Sequence, residues 1–331
     1  SGNQDLFEAV EAVGMDLCPK WNITIPVGKD SLSMSTEWVE QTKEKSVISP
    51  LSLIITGFSP VQDTSIAITP ELKSNNDSSL LFIDLGKGNS RMGGSILAQV
   101  NNEFGGPSPD VECTDEMPNL VSTFHDLLKA KKILAYHDRS DGGLITTLAE
   151  MSFAGRIGLK IKLDSLVQDK NNLIELLFNE ELGAVIQVLD QDKDSILAIL
   201  NSCGLKNHIY DIGTISSEKE IDLELDDKSF LSLPIKELLK TWHQVSFEIQ
   251  SLRDNPETAK AEYDHDINIQ ESGLCAVIPF FIPDKINIKS SKPRIAILRE
   301  QGVNGQNEMA AAFNEVGFDC IDVHMTDLIS K

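Results

Sequence analysis

Between about residues 80 and 189, short apolar runs alternate with stretches of helical periodicity, and this alternation limits the fold more than any other feature of the chain. Leu80–Leu85, Ile133–Tyr136, Leu159–Leu163 and Ala184–Leu189 read as buried strands. Residues 94–104, 116–131 and 142–153 read as helices, the last with Leu144, Leu148 and Met151 at helical spacing. Strands interleaved with helices pack as layers, so the expectation is a mixed α/β layer domain from about residue 61 to residue 230. Pro60, Thr69-Pro70 and Asn75-Asn76-Asp77 break the pattern before its first strand.

The flanks read differently. Asp5 and Glu8 form a capping-box pattern, and Leu6, Val10, Val13 and Leu17 trace one helical face that is expected to end at Pro19. Thr24–Val27 and Leu51–Phe58 look like buried strands, separated by a charged stretch, 37–45, that suits a hairpin connection or surface loop. Residues 1–60 are therefore assigned to the remainder of a first domain. Pro234 opens a long helix to about Leu252, and 253–292 read as a connector that partly packs. Beyond it, Arg294–Leu298, Met309–Val316 and Phe318–Val323 give strand, helix and strand, the opening of an α/β domain. One βαβ unit cannot cover both faces of a parallel sheet, so residues 293–331 are not expected to fold independently.

Charge narrows the function classes. The net charge of −22 argues against nonspecific affinity for nucleic acid, and no apolar run reaches the roughly 18 residues of a membrane span. Cys18, Cys113, Cys203, Cys275 and Cys320 are scattered and odd in number, without a C-x-x-C pair, which suits reduced thiols in a cytoplasmic protein. Ser1 is not a methionine and no signal-peptide pattern follows it, so the chain is expected to begin inside a longer polypeptide.

Four motifs are candidates for chemistry. His137-Asp138-Arg139-Ser140-Asp141-Gly142-Gly143 lies at a strand-to-helix junction, where helix N–H groups attract an anion. Asp138 suits Mg²⁺, which takes one or two carboxylates plus phosphate oxygens and water, and Ser140 can donate to a phosphate. The alternative is that Ser140 or Asp141 caps the helix. In an extended segment Asp138 and Ser140 share one face, and Arg139 and Asp141 the other, so the first pair is favoured as ligand contacts and the second as structural. His137 has no second histidine at ligand spacing and reads as a packed neighbour.

Asp84-Leu85-Gly86-Lys87-Gly88-Asn89 followed by Met92-Gly93-Gly94-Ser95 fits either a nucleotide phosphate or a plain strand-loop-helix connection. It departs from the dinucleotide fingerprint, since Arg91 stands five residues after Gly86. Pro26-Val27-Gly28-Lys29-Asp30-Ser31 offers a lysine beside a glycine turn, but residues 22–26 hold no glycine where a P-loop needs one. An anion role and a structural turn both stay open there. Arg299–Gly305 follows a strand end, the side on which open α/β sheets bind ligands.

Six stretches, 25–34 (IPVGKDSLSM), 84–100 (DLGKGNSRMGGSILAQV), 135–159 (AYHDRSDGGLITTLAEMSFAGRIGL), 178–188 (FNEELGAVIQV), 252–256 (LRDNP) and 293–313 (PRIAILREQGVNGQNEMAAAF), occur in the order found in the phosphoribosylformylglycinamidine synthase family. The resemblance spans nearly the whole chain. It implies an α/β and α+β fold: an aminoimidazole-ribonucleotide-synthetase-like second half, 1–60 and 61–230, a long helix and linker, 231–292, and the truncated start of a class I glutaminase domain, 293–331. The family activity it implies is ATP-dependent conversion of formylglycinamide ribonucleotide and glutamine to the amidine, with ADP, phosphate and glutamate released. The implied partners are these small molecules and the remainder of the same polypeptide.

By the resemblance, Asp138 matches a family Mg²⁺ ligand and Ser140 a nucleotide contact. The family's second half holds an auxiliary nucleotide, ATP or ADP with Mg²⁺, while the main site lies mostly in the first half. The remaining Mg²⁺ ligands are expected before Ser1. The glutaminase cysteine, histidine and glutamate are expected beyond Lys331, because within 293–331 the one cysteine, Cys320, falls in a predicted strand as a core residue and the one histidine is His324. The chain alone is then expected to be inactive. Two other readings are a noncatalytic scaffold stabilised by nucleotide and a stand-alone ATP-using synthetase or kinase of the related superfamily.

Overall fold

The computed structural model describes residues 2–29, 34–74, 77–103, 105–167, 172–270, 276–281 and 292–330. The chain divides into two compact units, Ser1–Glu271 and Ser272–Lys331. Among the described residues no helix is long and apolar enough to cross a membrane.

The first unit opens with helix α1 (Gly2–Glu11), which widens into a π-helical segment, Ala12–Leu17, and continues as α2 (Cys18–Trp21). The helix thus starts before Asp5 and passes through Pro19, where the sequence suggests a stop. Proline has no N–H for the carbonyl four residues back, and its ring crowds that carbonyl. The π segment takes up the mismatch: the Cys18 N–H reaches Val13 O, five residues back. Trp21 then ties the helix end to the rest of the unit, its Nε1 donating to Thr114 O at 2.9 Å.

Strands β1 (Ser35–Glu40) and β2 (Lys43–Ile48) form an antiparallel hairpin. Its two turn residues, Gln41 and Thr42, have φ of 48° and 77°, as a primed hairpin turn requires. The charged stretch 37–45 is therefore the hairpin itself. The runs 24–27 and 51–58, expected as buried strands, are irregular and exposed; Ile54 and Phe58 are 89% and 94% accessible. No strand lies beside either among the described residues, and a strand without a partner has no ladder to satisfy its N–H and C=O groups.

From residue 78 the expected layers form. The strands are β3 (Ser78–Asp84), β4 (Ile133–Asp138), β5 (Gly158–Lys162), β6 (Gly183–Leu189), β7 (Ile209–Ser216), β8 (Glu220–Leu225) and β9 (Lys228–Pro234). Between them lie α3 (Ile96–Val100), α4 (Met117–Lys129), α5 (Gly143–Gly155), α6 (Leu173–Phe178) and α7 (Asp190–Leu200). Among the described residues these seven strands make one sheet in the order β4-β6-β3-β7-β5-β8-β9, antiparallel throughout except for the parallel pair β5 and β8.

Every residue of β3 is buried. Alternation sends Leu80 and Phe82 to one face, where they pack with Leu144, Leu148 and Met151 of α5 and Leu177 of α6. It sends Leu81 and Ile83 to the other, against Leu120 and Leu127 of α4 and Ile196 and Leu200 of α7. Covered on both faces, the middle of β3 has no polar side to show, which is why Leu80–Ile83 reads as a continuous apolar run between polar ends.

Helix α8 (Ile235–Arg253) and helix α9 (Pro256–Asp266) pack back onto the same unit. Phe247 and Tyr263 stack at 4.5 Å, Trp242 meets Phe153 of α5 edge-on at 6.0 Å, and Arg156 Nη1 donates to Asp266 O at 2.9 Å. In the second unit β10 (Arg294–Arg299) pairs in parallel with β11 (Asp319–His324), joined by α10 (Gln306–Glu315) and followed by α11 (Met325–Ile329).

Candidate functional site

The segment 137–143 leaves β4, the edge strand of the sheet, and turns into α5. As far as Ser140 its side chains divide as alternation demands, but Asp141, expected to share Arg139's face, is exposed because the chain has left the strand there. Tyr136 and Asp138 point to the α4 side, where Tyr136 meets Phe124 edge-on at 5.7 Å and its hydroxyl donates to Asp138 Oδ1 at 2.6 Å. Burial, reinforced by the hydrogen bond to Asp138, pushes the Tyr136 phenol well above its ordinary pKa. His137 faces α5, with Nε2 2.6 Å from Glu150 Oε2, so it is a hydrogen-bonded neighbour.

Arg139 turns inward and is 4% exposed. Its Nη2 donates to Asp84 Oδ1 at 2.8 Å and to Leu182 O at 3.0 Å, its Nε donates to Glu181 O at 2.5 Å, and its guanidinium lies 4.9 Å over the Phe82 ring. Burial lowers the Arg139 pKa from its ordinary value and the Asp84 charge opposes that shift; a guanidinium remains protonated regardless. Asp84 also closes the glycine loop after β3, accepting from Gly86 N at 3.2 Å and Gly88 N at 2.7 Å. The 84–95 and 137–143 motifs therefore meet through the Asp84–Arg139 pair.

A segment the sequence reading left without a role, Asn179–Leu182, joins them a second time. Glu181 is fully buried and grips Arg91 with both oxygens, at 2.6 Å from Nε and 2.7 Å from Nη2. Burial is the largest influence on Glu181 and raises its pKa, but hydrogen bonds from Arg91 together with the charges of Arg91 and Arg139 outweigh it and hold the carboxyl below its ordinary value. Gly86 passes so close that a Cβ there would lie 2.7 Å from Glu181 Cβ. Gly143 is pinned likewise: φ is 73°, and a Cβ would lie 2.7 Å from Asn179 O and Leu177 O. The available signal was two adjacent glutamates just before a strand whose one polar residue is Gln187, a place where charge is kept only with partners.

Asp138 and Ser140 are exposed on either side of buried Arg139. Ser140 O accepts from Gly143 N at 2.9 Å, and Thr147 Oγ1 donates to Asp138 O at 3.1 Å, so both backbones are held while the side chains stay outward. Among the described residues no three His, Cys, Asp or Glu side chains gather to hold a metal ion. One exposed carboxylate still fits Mg²⁺ that completes its shell with water and phosphate oxygens.

Lys29 is exposed, and Asp30 and Ser31 lie outside the described residues. In the second unit Arg299 Nε donates to Asp322 at 2.7 Å, Cys320 Sγ to Ala310 O at 3.3 Å, and His324 caps α11 in a reciprocal pair with Asp327.

Three family models match the chain: an FGAR-AT PurM_N-like domain over residues 1–60, the C-terminal domain of AIR synthase related proteins over 85–226, and a CobB/CobQ-like glutamine amidotransferase domain over 292–331. Among solved structures, Thermotoga maritima PurL complexed with ATP is 14% identical with a TM-score of 0.41, covering 59% of this chain and 28% of that one. Escherichia coli HypE, a hydrogenase maturation protein, is 22% identical with a TM-score of 0.37, covering 52% and 53%. A curated relative, phosphoribosylformylglycinamidine synthase of Schizosaccharomyces pombe, is 46% identical over 98% of this chain, which spans 25% of that protein's length. With three matching domains in order and that identity along almost its whole length, the chain belongs to the phosphoribosylformylglycinamidine synthase family.

Proposed function

We propose that the chain is part of an ATP-dependent C–N ligase of purine biosynthesis and that its own contribution is to hold an auxiliary Mg-nucleotide. The complete enzyme converts formylglycinamide ribonucleotide, glutamine and ATP to the amidine, glutamate, ADP and phosphate. In that reaction the amide oxygen is phosphorylated by ATP, and ammonia from glutamine then displaces the phosphate. The residues for both steps lie outside this chain, which is inactive alone and works in the cytoplasm. The domain divisions at about residues 60, 230 and 292 belong to the same reading.

One observation carries the nucleotide assignment: Asp138 and Ser140 project outward from a segment whose intervening residue, Arg139, is locked into the core. Asp138 would contact Mg²⁺ and Ser140 a phosphate oxygen, with the cation neutralising phosphate charge. The remaining side chains orient these two. In the complete polypeptide, Asp138→Asn should release Mg-ADP that the unaltered protein keeps through desalting, read by chromatography of the denatured protein. Unchanged retention would remove Asp138 from the site.

A further inference from the structure

Two N–H groups, 38 and 84 residues from Glu180, meet on one of its carboxylate oxygens. Glu180 Oε1 accepts from Gly142 N at 2.8 Å and from Ile96 N at 2.8 Å. Gly142 stands at the N-cap of α5, two residues after Ser140, and has no side chain with which to cap the helix. Ile96 opens α3 at the end of the glycine-rich loop.

The carboxylate is held in place by its neighbours. Asn179 Nδ2 donates to Glu175 O at 2.6 Å and to Leu176 O at 3.3 Å, and Asn179 Oδ1 accepts from Glu181 N at 3.2 Å. Glu181 is clamped to Arg91. With the backbone fixed on both sides, Asn179, Glu180 and Glu181 take separate directions, and Glu180 alone of the two acids spends its charge on backbone N–H groups of both loops. An ionised acceptor at a helix start makes a stronger bond than a neutral one, and the helix dipole favours it there.

We propose that Glu180 is a positioning residue: it fixes the 137–143 turn against the 84–96 loop, and so fixes where Ser140 and Asp138 present their oxygens. This rests on the reading of those two residues as Mg-nucleotide contacts. Glutamine keeps an acceptor in the same place without the charge, whereas alanine removes it.

The test uses the complete polypeptide that carries this chain, with Mg-ADP as probe. Glu180→Ala should speed hydrogen exchange at the Gly142 and Ile96 amides, weaken Mg-ADP about tenfold, and shrink the rise in Tm that Mg-ADP produces. Glu180→Gln, which preserves shape and guards against a misfolded alanine variant, should recover most of that affinity. Faster exchange with unchanged Mg-ADP affinity would overturn the positioning role, as would unchanged exchange at both amides. If Asp138→Asn leaves affinity intact while Glu180→Ala lowers it, the Asp138 assignment falls and the Glu180 role stands. An unaltered protein that binds no Mg-ADP overturns the nucleotide reading, and the positioning role with it.

Discussion

The runs Leu80–Asp84 and Leu51–Phe58 are alike in composition and opposite in state. The first lies in the middle of a sheet with strands on both edges and helices on both faces, and all of it is buried. The second has no strand beside it among the described residues, and Ile54 and Phe58 stand almost fully in solvent. Burying one large aliphatic side chain is worth about 1.5–3 kcal/mol, but only where something covers it. An apolar run is thus an offer of a strand, and its neighbours decide whether the offer is taken.

The largest expected effect in the covered region comes from charge. Arg139→Met leaves Asp84 buried without its cation, and removing one partner of such a pair should cost about 4 kcal/mol in a urea titration. A loss below 1 kcal/mol would mean that water reaches the pair, and the contrast between the regions would shrink. Leu81→Ala, opposite α4 and α7, should cost about 3 kcal/mol through the cavity it leaves.

Acid sharpens the comparison further. Residues 51–61 contain no ionisable side chain, whereas the covered region holds Glu181 with its pKa lowered from the ordinary 4.5. A carboxyl with a lowered folded pKa contributes stability that is full above its unfolded value and is lost as pH falls through the folded one. Unfolding measured downward from pH 5 should therefore steepen, and Glu181→Gln should flatten that part of the slope.

Ile54→Ala should have the smallest effect, within about 0.5 kcal/mol in this chain. A loss as large as that of Leu81→Ala would show the run 51–58 to be covered in solution. Repeating the pair of substitutions in the longer polypeptide would then tell whether the cover comes from another part of it.

Local pattern carried much of this structure. The strands at 80, 133, 159 and 184 and the helices at 116, 142 and 235 follow from period and punctuation, because each is long enough to show its buried face. The short helix α6 and the strands β7 and β9 are weakly periodic and were not legible, whereas β8 alternates strictly from Glu220 to Leu225 and was overlooked. Pro19 misled because a widened turn accommodates it, and the runs at 24 and 51 misled because pairing is not written in a strand's own residues. At the site, alternation along 137–143 separated Arg139 from Asp138 and Ser140. The binding of the two loops by Glu180 and Glu181 was hidden, since those partners lie 38 to 90 residues away.

The strand order of the large sheet also has a consequence in time. Strand β3 lies between β6 and β7, so Leu81 pairs with Ile186 and with Asp211. As the chain leaves the ribosome, this central strand, with Leu80–Ile83 in its middle, waits for about a hundred further residues before either edge can be zipped. Until then that strand is the adhesive part of the nascent chain, and the partners that arrive last seal it off from its neighbours in the cell.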